Sequence, residues 1–250
     1  MRKMKNNTFI FICVLLSAIL LIWSCEDSTS SENPAPGKVK LVNKSPEDVA
    51  VETGIDAEFI LGSQPPRDGI IIQWHPVQDN DLAGYRVYRS TSDSSTALSP
   101  IANVRSQSIP GKIDTSYFDK NVVAGTRYYY RISAEDADQE GPLSSASDYR
   151  LEDVCTLNFP PPFSGTFQWQ WPLNAAPDRF IFRLSKQTAF GTYDSVLIKI
   201  ESDYSSPPTW SLSQLGIDSL AAGQYRWRID IIGSENNNGS ESDWSYFAVP

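Results

Sequence analysis

Few residues in this chain are of types that do chemistry. His75 is the single histidine, and a Ser-His-acid hydrolase would need a nucleophile and an orienting acid around it. No Gly-x-Ser-x-Gly elbow occurs, and His75 follows Trp74, so alternation turns it toward the sheet surface. Cys155 has no second histidine or nearby cysteine to work with and reads as a structural thiol. Asp79-Asn80-Asp81 opens like a calcium loop. The 12-residue pattern also needs an internal Gly and a closing Glu, whereas Leu82-Ala83-Gly84-Tyr85 follows. It reads as a turn whose Asp and Asn bond to local backbone. Glu135–Glu140 and Glu235–Asp243 are acid-rich and read as loops, each between the last two strands of its half. Such loops are solvated by default and otherwise suit a cation or a partner. Paired carboxylates for glycoside hydrolysis would have to face each other across a cleft. No catalytic residue, metal site or cofactor is assigned.

The elements around these residues are strands. Ile70, Ile72 and Trp74 share a face at period 2, as do Tyr85 and Val87, and then Tyr128, Tyr130, Ile132 and Ala134. Displaced by 95 residues, Trp169 repeats Trp74, and Phe180, Phe182 and Leu184 follow. Displaced by 97, Tyr225, Trp227, Ile229 and Ile231 repeat the later run. Turn residues punctuate both halves at Pro76, Pro110-Gly111 and Asn236-Asn237-Asn238-Gly239. A repeat of this length is the size of a β-sandwich domain rather than a solenoid unit. Arg86, Tyr88, Tyr129 and Arg131 take the outer parity of their strands. They form a candidate binding face, with cross-strand stabilisation as the plainer reading. Trp210, after Pro207-Pro208, is the candidate exposed ring in the second half.

This pattern resembles the fibronectin type III family. The resemblance rests on Trp74, Gly84-Tyr85-Arg86-Val87-Tyr88-Arg89, Tyr117-Phe118-Asp119, Gly125 and Tyr128, and more loosely on Trp169, Tyr225 and Trp227. It implies an all-β chain of two tandem immunoglobulin-like sandwiches, the second divergent. In each, a core Trp sits on the second strand and a Tyr anchors a corner through its hydroxyl. The expected organisation is a leader at 1–24, a tether at 25–37 and a first domain at 38–154. A Pro-rich linker at 155–163 and a second domain at 164–250 complete it. The prolines are expected to set the domains end to end with limited bending. Asn43–Asp68 exceeds the usual first connection and is unassigned.

The leader has basic Arg2, Lys3 and Lys5, then an apolar run from Phe9 to Trp23 that is short for a spanning helix. Leu21-Ile22-Trp23-Ser24-Cys25 resembles a bacterial lipoprotein signal, which implies acylation at Cys25 and a membrane as partner. The following Glu26–Gly37 is polar and reads as a tether. Losing three of 21 basic residues leaves 18 against 30 acidic ones, a net charge of −12. A nucleic-acid binder would need a basic stripe, and none is visible. The expectation is a bacterial envelope lipoprotein, non-enzymatic, serving as a spacer or as a protein- or glycan-binding module. The alternative is an enzyme, or an accessory subunit of a polysaccharide-degrading complex, with a cleft at the domain junction.

Overall fold

Rings and β-branched residues at every second position, broken by Gly, Pro and Asn, favour strands. The computed structural model describes residues 33–44, 52–93, 97–105, 113–158, 163–173, 177–202 and 208–250. The leader, Cys25, most of the tether and Pro160–Pro162 lie outside the described residues. Among the described residues the elements are strands, with a 3-10 turn at Ser213–Leu215.

The first half contains β1 (Lys40–Leu41), β2 (Asp56–Phe59), β3 (Asp68–His75), β4 (Gly84–Ser90), β5 (Ser99–Val104), β6 (Ser116–Asp119), β7 (Arg127–Glu135) and β8 (Ser147–Leu151). β1, β2 and β6 pair antiparallel with β3 in one sheet, and β5-β4-β7-β8 form the other. Between them lies a core of Ile70, Ile72, Trp74, Tyr85, Val87, Tyr130 and Ile132. The second half contains β9 (Thr156–Asn158), β10 (Thr166–Gln170), β11 (Pro177–Ala189), β12 (Thr192–Glu201), β13 (Thr209–Ser211), β14 (Gly223–Gly233), β15 (Asn238–Glu241) and β16 (Ser245–Val249). Here β13-β10-β9 faces a sheet of β12-β11-β14, with β15 and β16 both on β14. Phe167, Trp169, Phe180, Phe182 and Trp227 fill the space between. The chain is thus all-β, with two sandwich cores of immunoglobulin-like type.

Both corner tyrosines are in place. Tyr128 Oη accepts from Val123 N at 3.2 Å, and Tyr225 Oη donates to Ala221 O at 2.7 Å. Trp74 meets Tyr85 edge-to-face at 5.3 Å.

The sandwiches share a sheet, so their coupling does not depend on the proline run. β15 pairs parallel with β8 through Asn238–Arg150 and Gly239–Leu151, producing one nine-stranded sheet. Arg150 N donates to Asn237 O at 2.9 Å and Glu152 N to Gly239 O at 2.8 Å. Asn237 adopts a φ of 50°, a left-handed conformation that Asn tolerates well. A Cβ on Gly239 would lie 2.2 Å from Ile231 O, so only glycine admits this close approach. The wild type is therefore expected to unfold in one urea transition followed by tryptophan fluorescence. Gly239→Val is expected to split it in two and to lose about 1–3 kcal/mol, as overpacking does.

Candidate functional site

The structure brings Arg86, Tyr88, Tyr129 and Arg131 to one face. Register on β4 and β7 sets Arg86 opposite Ser133, Tyr88 opposite Arg131 and Tyr129 opposite Ser90. Their polar groups are largely engaged with one another and with the acid-rich loop. Arg86 donates to Glu140 at 2.7 Å and to Glu135 at 2.9 Å. Tyr88 Oη and Ser133 Oγ both donate to Glu140, the latter at 2.6 Å. Burial alone would raise the Glu140 carboxyl; the bonds from Ser133 and Tyr88 and the Arg86 charge outweigh it and hold it below the usual range. Arg131 Nη1 donates to Ser144 O at 3.1 Å. The arrangement is a cross-strand network that fastens its neighbouring loop. Within that loop Asp136 Oδ1 accepts from Asp138 N and Gln139 N at 2.7 and 2.6 Å, so Glu135 and Asp136 are buried rather than solvated.

Trp210 is a correction. It is 5% exposed, on β13 opposite Phe167. Its ring lies 5.2 Å from Phe180, 5.5 Å from Trp169 and 5.7 Å from Phe182, under the Lys199 ammonium. Pro207-Pro208 suggested an exposed loop, but Thr209–Ser211 adds a strand to β10 and parity turns the ring inward. His75 is exposed at the end of β3, as its parity implies. Cys155 is buried, and that burial, with Asp230 and Asp68 nearby, pushes its thiol far above its ordinary value. A buried, protonated thiol is a poor nucleophile.

A charge cluster lies where Glu52, Asp56 and Asp68, described residues of the unassigned 43–68 segment, meet the second sandwich. Arg228 on β14 donates to both oxygens of Glu241 at 2.7 and 2.8 Å, and its Nε lies 2.8 Å from Asp230. It also donates to Glu52 of the first sandwich. Arg183 pairs with Asp230 and, at 3.1 Å, with Glu52. Asp68 accepts from Glu241 N at 2.7 Å, a bond from one sandwich to the other. Asp56 takes Lys44 at 2.5 Å and the Tyr149 hydroxyl at 3.1 Å. Glu52, Asp56, Glu58, Arg228 and Glu241 line a recess of about 220 Å³ at this junction. Carboxylate oxygens of Glu52, Asp230 and Glu241 lie within 4.8 Å of one another, a spacing a metal could use. The Arg228 guanidinium contacts all three, and that accounts for their convergence. Burial works against the Arg228 charge, but Asp230, Glu241 and Glu52 together raise its pKa.

A second cluster went unseen in the sequence. On the outer face of the second sandwich, Arg226 stacks on Tyr193 at 4.1 Å and on Trp244 at 4.0 Å. Arg228 also lies over the Trp244 ring, at 4.7 Å, and Tyr246 packs 6.2 Å from Tyr193. The signal was present: Arg226 and Arg228 alternate with the core residues Tyr225 and Trp227. The stacking rings come from a hairpin and a closing strand whose register the sequence does not state.

Burial raises the Asp68 carboxyl well above its ordinary 3.8, with Asp230 adding to the effect. The folded state then holds a proton that the unfolded chain has released, so this group's contribution falls as pH rises above the ordinary value. Asp68→Asn removes that slope, and its stability relative to wild type is expected to rise between about pH 5 and 8 in urea titrations. Arg228→Ala is expected to cost about 3–5 kcal/mol by leaving buried carboxylates unpaired.

No family model and no curated protein matches the chain. Solved structures similar to it include an Fn3-like protein from Clostridium thermocellum, 25% identical, covering 38% of this chain and 84% of that one, with a TM-score of 0.28. Another is the chicken CNTN1 FN1–FN3 domains, 12% identical, covering 87% of this chain and 67% of that one, with a TM-score of 0.34. The fold stands on the chain's own sheet order and two cores.

Proposed function

We propose that this chain is a lipid-anchored bacterial envelope protein of two tandem fibronectin type III-like sandwiches. It is non-enzymatic and holds a protein- or glycan-binding surface away from a membrane. The observation that carries this reading is Cys25 behind a basic start and a short apolar run, followed by a polar tether. At about 3.5 Å per residue an extended tether gives the domains reach. Acyl chains on one Cys add about 0.8 kcal/mol per buried CH₂, which suits firm anchoring.

The fold supports a spacer role. The chain enters the first sandwich at Pro36, whose carbonyl lies against Gly141, and Gly141 N bonds to Ala134 O near the end of β7. The seam to the second sandwich involves Arg150 and Leu151, and Arg150 lies opposite Arg127 at the other end of β7. The second sandwich therefore adjoins the end of β7 opposite to the one near Pro36. The shared sheet stiffens the pair, so a ligand site there would be held out at fixed orientation. The two corner tyrosines support reading both halves as variants of one domain type. At the junction recess, Glu52, Asp56 and Glu241 are committed to Arg228, Arg183 and Lys44. Glycoside hydrolysis needs two carboxyl groups free to act on a sugar.

Metabolic labelling with palmitate is expected to mark the protein, and Cys25→Ser to abolish the label and free the chain from membranes. A mature form that keeps residues 1–24 would overturn the anchor. Protease shaving of intact cells then reports which side of the envelope the domains occupy.

A further inference from the structure

We propose that Arg226, with Tyr193, Trp244 and Tyr246, forms a binding site on the second sandwich for the carboxylate of an acidic, uronate-bearing glycan. The argument starts from a contrast between arginines. Arg86, Arg127, Arg150, Arg183 and Arg228 each have carboxylate partners. Arg226 has none among the described residues. Its Nε is buried without a hydrogen-bond partner, and its guanidinium carbon lies 4.1 Å from the Tyr193 ring centre and 4.0 Å from that of Trp244. In a chain with a net charge of −9, an unpaired cation fixed by two rings is a feature to explain.

Stacking fixes the plane of the guanidinium and leaves its edge as a fork of donors. That fork matches a carboxylate in two parallel bonds. Beside it, Tyr246 is 58% exposed and offers a flat ring on the same sheet face. The C–H face of a pyranose is apolar and suits such a ring, while a carboxyl on the sugar reaches the fork. An acidic peptide fits less well. β14 is hydrogen-bonded on both edges, to β11 and to β16, so among the described strands a peptide could add only along β16 or β12, each separated from the Arg226 backbone by at least one strand. Recognition here runs through rings and one fork.

The equivalent face of the first sandwich lacks this capacity, because Glu135 and Glu140 already take the Arg86 fork. Specificity follows from charge: a neutral sugar leaves the Arg226 donors unanswered, and an esterified uronate does the same.

This inference rests on reading the chain as a binding module and is independent of the lipid anchor. The test is calorimetric titration of the full-length chain in detergent micelles with a galacturonic acid hexamer and with its fully methyl-esterified form. Saturable binding of the acid form alone is expected, weakening as salt is raised. Arg226→Lys keeps the charge but loses the fork, and Tyr246→Ala removes only an exposed ring. Each is expected to weaken binding about tenfold or more, with melting curves showing the fold intact, while Arg86→Lys binds as wild type. No binding of the acid form, equal binding of acid and ester, or wild-type affinity in Arg226→Lys would overturn the site. In those cases saturable binding of another glycan or of a protein would leave the broader module reading standing. An inert chain throughout would remove both.

Discussion

Arg228 carries a charge into a place with little water, and the packing of one sandwich on the other is organised around what it meets there. A buried guanidinium is tolerated only with its donors answered. Glu241 answers from the adjacent strand, Asp230 from two residues along, and Glu52 from the other sandwich. Because one of the three belongs to the first half, the ion pairs cannot be completed by the second half alone. Breaking the junction would expose the same charges to partial solvation with Glu52 removed. The cluster thus adds directional specificity to an interface whose backbone seam is only a few bonds long.

Much of the fold was legible because side chains at period 2 declare which face is buried. Trp74, Tyr128, Trp169 and Tyr225 are all inside, and the corner tyrosines bond backbone as their positions imply. The failures share one physical cause. Asn238-Gly239-Ser240-Glu241 has poor strand propensity and reads as loop, yet it forms β15. Its partners are β14 and β8, and β8 lies far back in the chain; just beyond it Asp153 O accepts from Ser240 Oγ at 3.0 Å. Tertiary pairing overrides local preference there. Trp210 was misplaced for the same reason, since a three-residue strand is invisible until its partner is known. The unassigned 43–68 segment carries one short alternation, Ile55, Ala57 and Phe59, on and beside β2. Its acids, Glu52, Asp56 and Asp68, are placed by charge rather than by hydrophobic alternation.

The two outer faces begin from one recipe, arginines alternating with buried rings on a long central strand. Their outcomes differ through what the neighbouring loop supplies. In the first sandwich the loop after β7 turns back through the Asp136 cap and delivers Glu140 onto the face, where Arg86, Tyr88 and Ser133 converge on it. In the second, the residues after β14 are drawn into β15 by the seam, and Glu241 goes to Arg228. Arg226, two residues earlier, is left with rings instead of a carboxylate.

That division follows from the seam itself. A loop engaged in joining the sandwiches cannot also fold back over the sheet face, so the contact that joins them also leaves the outer face of the second electrostatically incomplete. On the first sandwich the Arg86 fork is answered by Glu135 and Glu140. The second retains an exposed Tyr246 and, at Arg226, a cation with no carboxylate among the described residues. The junction and the open Arg226 fork are therefore coupled through one short strand: a change in β15 that returned its acids to the outer face would quench Arg226 and loosen the junction together.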